Sequence, residues 1–249
     1  MKIHKFSCLV IFISFVISSC SKILSKEDDN IRINKKIEIS NITKIHAESL
    51  FHIELIQDNQ EYILATGNQD QLDKLIIHTE GSTSFLSHDY KSLVQNNEPI
   101  HLEIHIKDIT YIQINAPVNI LGSELISTDK LSILVEGESE LVEMGLNLNC
   151  QELSFHVKGN VSAKYQFRGE CPKAKYVLNG TSNLIASDFK NQNIHITQNG
   201  IGEAFLYAEE KITANIYSSG NMYYKGNPEI TIKRVKINNQ SPTAKLAPL

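Results

Sequence analysis

Arginine is scarce in this chain: 249 residues hold only Arg32, Arg168 and Arg234, and no basic cluster forms around them. The formal net charge is −4. Nucleic-acid binding depends on neutralising phosphates with clustered basic side chains, so this composition argues against that class of partner. The common catalytic signatures are missing as well. No G-x-S-x-G, phosphate loop, H-E-x-x-H or paired C-x-x-C occurs. A calcium-dependent lyase needs carboxylates clustered on neighbouring repeats. Here only Glu136, Glu140 and Glu143 crowd together, with Lys158 and Lys164 offered by the next repeat. Two facing carboxylates could still make a glycosidase, so a carbohydrate-active enzyme stands as an alternative function. Neither a cofactor nor a metal is expected. No stretch shows helical periodicity.

What the chain does have is a repeat. Ala116, Gly137, Gly159, Gly180, Gly200 and Gly220 form one column of small residues at spacings of 20 to 22, and five of the 12 glycines fall in it. Such a period marks one supersecondary unit stacked on itself. Four residues before the column stand Ile112, Ile133, Phe155, Tyr176, Ile196 and Ile216, all apolar. Two before it stand Ile114, Val135, Val157 and Leu178, then Gln198 and Ser218; the position just before it is always polar. That alternation is a strand with one buried face. Four residues after the column, Ile120, Leu141, Ala163, Leu184, Ala204 and Tyr224 open a second inward column. The small residue therefore sits at a corner between two strands, where φ > 0 or close backbone approach favours glycine. The pattern predicts an all-β, parallel β-solenoid with 20–22-residue coils, regular over about 110–239. Six coils at about 4.8 Å each rise roughly 29 Å.

Upstream, segments 51–55, 61–65, 75–78 and 101–107 read as strands separated by turn signals at Gly67-Asn68 and Gly81-Ser82. They predict irregular first coils or a capping sheet of one domain spanning 37–239, since solenoid ends must be blunted. Residues 240–249 hold two prolines and no strand pattern, and read as a loose tail.

The first 19 residues carry Lys2, His4 and Lys5, then an apolar run from Phe6 to Ile17, the pattern of a signal peptide. It is too short to span a bilayer. Ile17-Ser18-Ser19-Cys20 matches the bacterial lipobox, so Cys20 is the expected lipidation site and the membrane the expected partner through that anchor. Residues 20–36, with Lys26-Glu27-Asp28-Asp29, read as a flexible tether. Losing residues 1–19 removes two lysines and no acid, leaving 22 basic against 28 acidic side chains, net −6. The expected location is the outer membrane, on its periplasmic or its cell-surface face. Cys150 and Cys171 each lie nine residues before a column glycine, Gly159 and Gly180. Stacked on adjacent coils, their Cα atoms fall within disulfide reach, and an envelope compartment is oxidising.

Two surface features carry candidate chemistry. His101, Glu103 and His105 alternate on one strand, but i and i+2 side chains stand too far apart for a shared ion, so a solvated face is expected. Tyr207, Tyr217 and Tyr223 are the candidate binding surface, for a glycan or a protein ligand; Tyr224 belongs to the core column.

SLFHIELIQ near residue 50, IHLEIHIKDITYIQINAP ending at Pro117, the repeated strand–glycine corners and SSGNMYYKGNPEI ending at Ile230 together resemble a known family. It is the autotransporter-adhesin head domain called the head GIN domain. The likeness spans roughly 37–238. It implies a right-handed β-helix-like fold without catalytic residues and a role in adhesion. Ala116, Glu136 and Lys158 depart from the family's usual corner residues. The expected function is therefore a lipid-anchored envelope binding or structural module. A periplasmic scaffold or envelope-stress component is the other alternative.

Overall fold

Parallel stacking governs the structure, a computed structural model that describes residues 31–89, 98–137 and 140–249, without the side chains of 140 and 141. The expected signal peptide and Cys20 lie outside the described residues. Strands β1 (Ile33–Glu38), β2 (Lys44–Ala47), β3 (Phe51–Gln57) and β4 (Tyr62–Gly67) lead into a single-turn helix, α1 (Gln69–Asp73). Then come β5 (Leu75–Glu80), β6 (Thr83–His88), β7 (Ile100–Ile106) and β8 (Tyr111–Ile114). The long strands β9 (Val118–Val135), β10 (Glu140–Val157), β13 (Asn183–Gln198) and β14 (Ala204–Ile216) bend round the outside of the solenoid, as the shorter pair β11 (Ser162–Glu170) and β12 (Lys173–Leu178) does. Strands β15 (Met222–Lys225), β16 (Glu229–Arg234) and β17 (Leu246–Pro248) finish the chain.

Two parallel ladders result. Before the glycine corner the order is β6, β2, β8, then the second halves of β9 and β10, β12, β13, β14 and β16. After the corner it is β7, β3, the first halves of β9 and β10, β11, β13, β14, β15 and β17. The stack of about six turns is the β-solenoid that the repeat predicts. At the N-terminal end both ladders stop against antiparallel strands, β5 on β6 and the pair β1–β4 on β7. These strands are the capping sheet.

The interior is continuous and apolar. Ile112, Ile133, Phe155, Tyr176, Ile196 and Ile216 are all buried, as the first column requires. Aromatic rings fill its widest part: Phe155 packs edge-on against Tyr165 (4.6 Å between centroids) and Phe167 (5.2 Å). Burying each such ring contributes about 1.5–3 kcal/mol. Gln198 is the polar member of the second column, and it too is fully buried. Its Nε2 donates to the carbonyls of Gly202 (2.6 Å) and Gly220 (3.2 Å), so the amide ties two corners together from inside.

Four expectations need correction. First, the last coil is shorter than its glycine spacing indicates: Ile196 stacks on Ala214 and Ala204 on Met222, a step of 18 residues. A Cβ on Gly220 would lie 2.2 Å from the carbonyl oxygen of Gly202, the glycine 18 residues back. Met222, not Tyr224, therefore fills the core there, and Tyr224 is half-buried. Second, residues 33–36 are not tether but the start of β1, held by its ladder with β4 and by Lys36 over the Tyr62 ring. Third, residues 240–249 are not loose. Arg234 Nη1 donates to the carbonyl of Ala244 (2.7 Å), Ala244 is buried, and β17 pairs with β15, closing the C-terminal end. Fourth, the turn at Gly67-Asn68 opens α1, whose capping box joins Asn68 and Gln71 reciprocally. No described helix is long and apolar enough to cross a membrane.

Candidate ligand-binding groove

The corner has two physical forms. Gly137, Gly159 and Gly180 adopt φ of 106°, 79° and 65°. Gly200 and Gly220 do not, but close approach demands glycine there: a Cβ on Gly200 would sit 2.5 Å from the carbonyl oxygen of Gly180. Ala116, the first of the column, is buried at 8% exposure.

Along this line of corners runs an open groove of about 790 Å³. It crosses β3, β9, β10, β11 and β13, so its length is about 19 Å, four inter-strand steps. Small aliphatic side chains form its floor: Ala116, Pro117, Val118, Val142 and Ala163. On the strand side, His52, Asn119, Glu143, Lys164 and Asn183 stand one per coil in a single column, each in register with the next. The corner side carries Ser49, Ser162 and Thr181. Burial, and then the neighbouring His101, lower the pKa of His52.

Beyond the groove lies the histidine strand β7. His101 Nε2 is 3.8 Å from Glu103 and 4.0 Å from Glu54 of β3. His105 is not on a solvated face: it is 9% exposed, stacked on Tyr62 of the antiparallel β4 at 4.1 Å, with Nδ1 3.1 Å from Asp58. That hydrogen bond holds the Asp58 carboxyl below its ordinary pKa. Among the described residues no three His, Cys, Asp or Glu side chains are arranged to hold a metal ion.

The three tyrosines do not make one platform. Tyr207 and Tyr223 lie on the strands after the corner, while Tyr217 precedes it. The face of Tyr223 is already occupied by Phe205, parallel at 5.2 Å, and its hydroxyl points to Glu203 at 3.5 Å. Cys150 and Cys171 face each other between two stretches of in-register pairs and are both buried, but they are unbonded. The Cys171 thiol donates to the carbonyl of Lys173 at 3.2 Å, which directs it along its own strand instead of towards a disulfide. Cys150, hydrogen-bonded to Cys171 and buried, has its pKa pushed well above the ordinary thiol value. Sequence reasoning missed the groove because each coil contributes only one or two short side chains to it.

Residues 41–228 match a family model described as "Putative auto-transporter adhesin, head GIN domain". Among solved structures, a putative adhesin from Bacteroides fragilis is similar over 88% of this chain and 98% of its own, at 19% identity and a TM-score of 0.76. A structure from Parabacteroides distasonis described as a putative lipid binding protein covers 89% and 98%, at 18% identity and a TM-score of 0.65. A putative adhesin from Parabacteroides merdae covers 89% and 97%, at 15% and 0.62. At these identities the likeness is one of fold. No curated protein matches the chain.

Proposed function

Because the chain belongs to the head GIN domain family of auto-transporter adhesin heads, we propose that it is a non-catalytic binding module of the cell envelope, held at the membrane by acyl chains on Cys20. The observation that carries this reading is the groove: a rigid, continuous recess along the stacked corners, built on strands and not on loops. Adhesion needs an extended, pre-formed surface, and strands paired on both sides lose little entropy when a ligand docks. Among the groove's described lining residues Glu143 is the one carboxylate, whereas glycoside hydrolysis uses a pair. Each buried methylene of an acyl chain contributes about 0.8 kcal/mol, so the several chains of a lipidated cysteine hold the module at the membrane. Residues 21–32 would then be the spacer between anchor and solenoid.

Beads coated with the purified protein test the reading. They are expected to adhere to intact bacterial or host cells more than beads coated with an unrelated solenoid. Equal adhesion of the two would contradict it.

A further inference from the structure

We propose that the groove along the corners binds a neutral glycan chain lying parallel to the solenoid axis, an assignment that rests on the adhesin reading and names its ligand class. The first argument is shape. A trough crossing five strands, open along its length, suits an extended polymer better than a compact molecule. The second concerns the backbone. Every strand the groove crosses is hydrogen-bonded on both edges: β3 to β7 and β9, β9 to β10, β10 to β11, β11 to β13 and β13 to β14. An extended peptide cannot add to these strands by main-chain pairing and loses the chief source of affinity for that mode.

The third argument is the chemistry of the walls. Asn119 and Asn183 in the strand column, with Ser49, Ser162 and Thr181 on the corner side, all both donate and accept hydrogen bonds. Glycan hydroxyls have the same double capacity, and coils about 4.8 Å apart offer one such group per step. Asn183 uses its amide carbonyl on the N–H of Glu203 at 2.8 Å. The equivalent carbonyl of Asn119 is buried and has no partner among the described residues. A turn about the terminal side-chain bond would give it a hydroxyl donor from the ligand. Charge in the column is balanced, Glu143 beside Lys164, which favours a neutral chain over an acidic one. The aliphatic floor meets the C–H face of a sugar ring. An acyl chain would instead leave much of its length in water along an open trough.

Affinity electrophoresis of the detergent-solubilised full chain tests this, in gels containing a mannan, a xylan, a galactan or a β-glucan. At least one polysaccharide is expected to retard the protein. Ser162→Trp, at an exposed groove position, should abolish retardation, and Asn119→Ala should weaken it about two- to tenfold. Lys233→Trp on β16, away from the groove, should behave as the unaltered protein, and all three variants should unfold at its temperature. Retardation by none of the four polysaccharides, or undiminished retardation of Ser162→Trp, overturns the proposal. So does binding of a fluorescent fatty acid that Ser162→Trp abolishes. Bead adhesion separates the two readings: beads that adhere without any polysaccharide binding leave the adhesin role standing and remove the glycan groove.

Discussion

Placing alanine at two glycines that share a backbone conformation but not an environment separates two reasons for glycine in this fold. Gly81 lies in the β5–β6 hairpin with φ of +58°, and a Cβ there would meet nothing within 4 Å. Gly180 sits in the corner column with φ of +65°, and a Cβ there would lie 2.4 Å from the Val161 carbonyl oxygen and 2.7 Å from its nitrogen. The left-handed conformation alone costs a non-glycine residue about 1–2 kcal/mol. That is all Gly81→Ala loses. Gly180→Ala carries the same cost plus that of parting two stacked coils, since the clash is with backbone that cannot rotate away; overpacking of this kind adds about 1–3 kcal/mol. At about 2–4 °C per kcal/mol for a domain of this size, Gly81→Ala should lower the unfolding midpoint by about 2–8 °C and Gly180→Ala by about 4–20 °C. Thermal unfolding followed by far-ultraviolet circular dichroism measures both, and Gly180→Ala should lose at least twice as many degrees. Equal losses would refute the claim that coil-to-coil approach, and not φ alone, selects glycine at the corner.

Glu61 makes stability sensitive to acid. Burial acts to raise its pKa, but hydrogen bonds from the N–H groups of Asn41 and Ile42 and the Lys107 ammonium at 3.2 Å outweigh it and hold the carboxyl below its ordinary 4.5. With the folded pKa depressed, this stability is complete above 4.5 and is lost as pH falls through the lower folded value. Glu61→Gln should cost about 1–3 kcal/mol at neutral pH and flatten the fall in unfolding midpoint below pH ~4.5; an unchanged acid slope counts against it. The thiols of Cys150 and Cys171 should resist iodoacetamide in the folded protein and react fully in denaturant, because both are buried and the Cys150 pKa is raised. Rapid alkylation of the native chain, read by mass spectrometry, would contradict this. Tyr176 is fully buried and its hydroxyl has no partner among the described residues. Tyr176→Phe should therefore stabilise the fold by up to about 1–3 kcal/mol in urea unfolding, and a loss of stability would reveal a partner for that hydroxyl.

The middle of the solenoid was legible because packing there is local and repetitive. Ile112, Ile133, Phe155, Tyr176 and Ile196 occupy one buried column, and each strand alternates with period two. The last coil was not, because residues 199–202 hold two glycines, and the sequence does not say which of them Gly220 stacks on. β1 was unreadable for a different reason. Five of its six residues are exposed, so no face alternates, and main-chain pairing to β4 rather than burial holds it. His105 loses its solvent to Tyr62, a partner brought by antiparallel pairing 43 residues away in sequence. α1 did leave a signal, the Asn68–Gln71 capping box, within a segment that reads as a turn. Of the groove, the corner column was visible. Its walls were not, because His52, Asn119 and Lys164 become neighbours only through a register that bulges after Leu146 and Gln166 shift away from a fixed spacing.

Protease shaving of intact cells, with lysed cells as the control, tests the central claim that this chain is an envelope module displayed for binding. The adhesin account predicts that the chain is cleaved or lost from intact cells. Survival until lysis would contradict it and would point to a periplasmic scaffold or envelope-stress component.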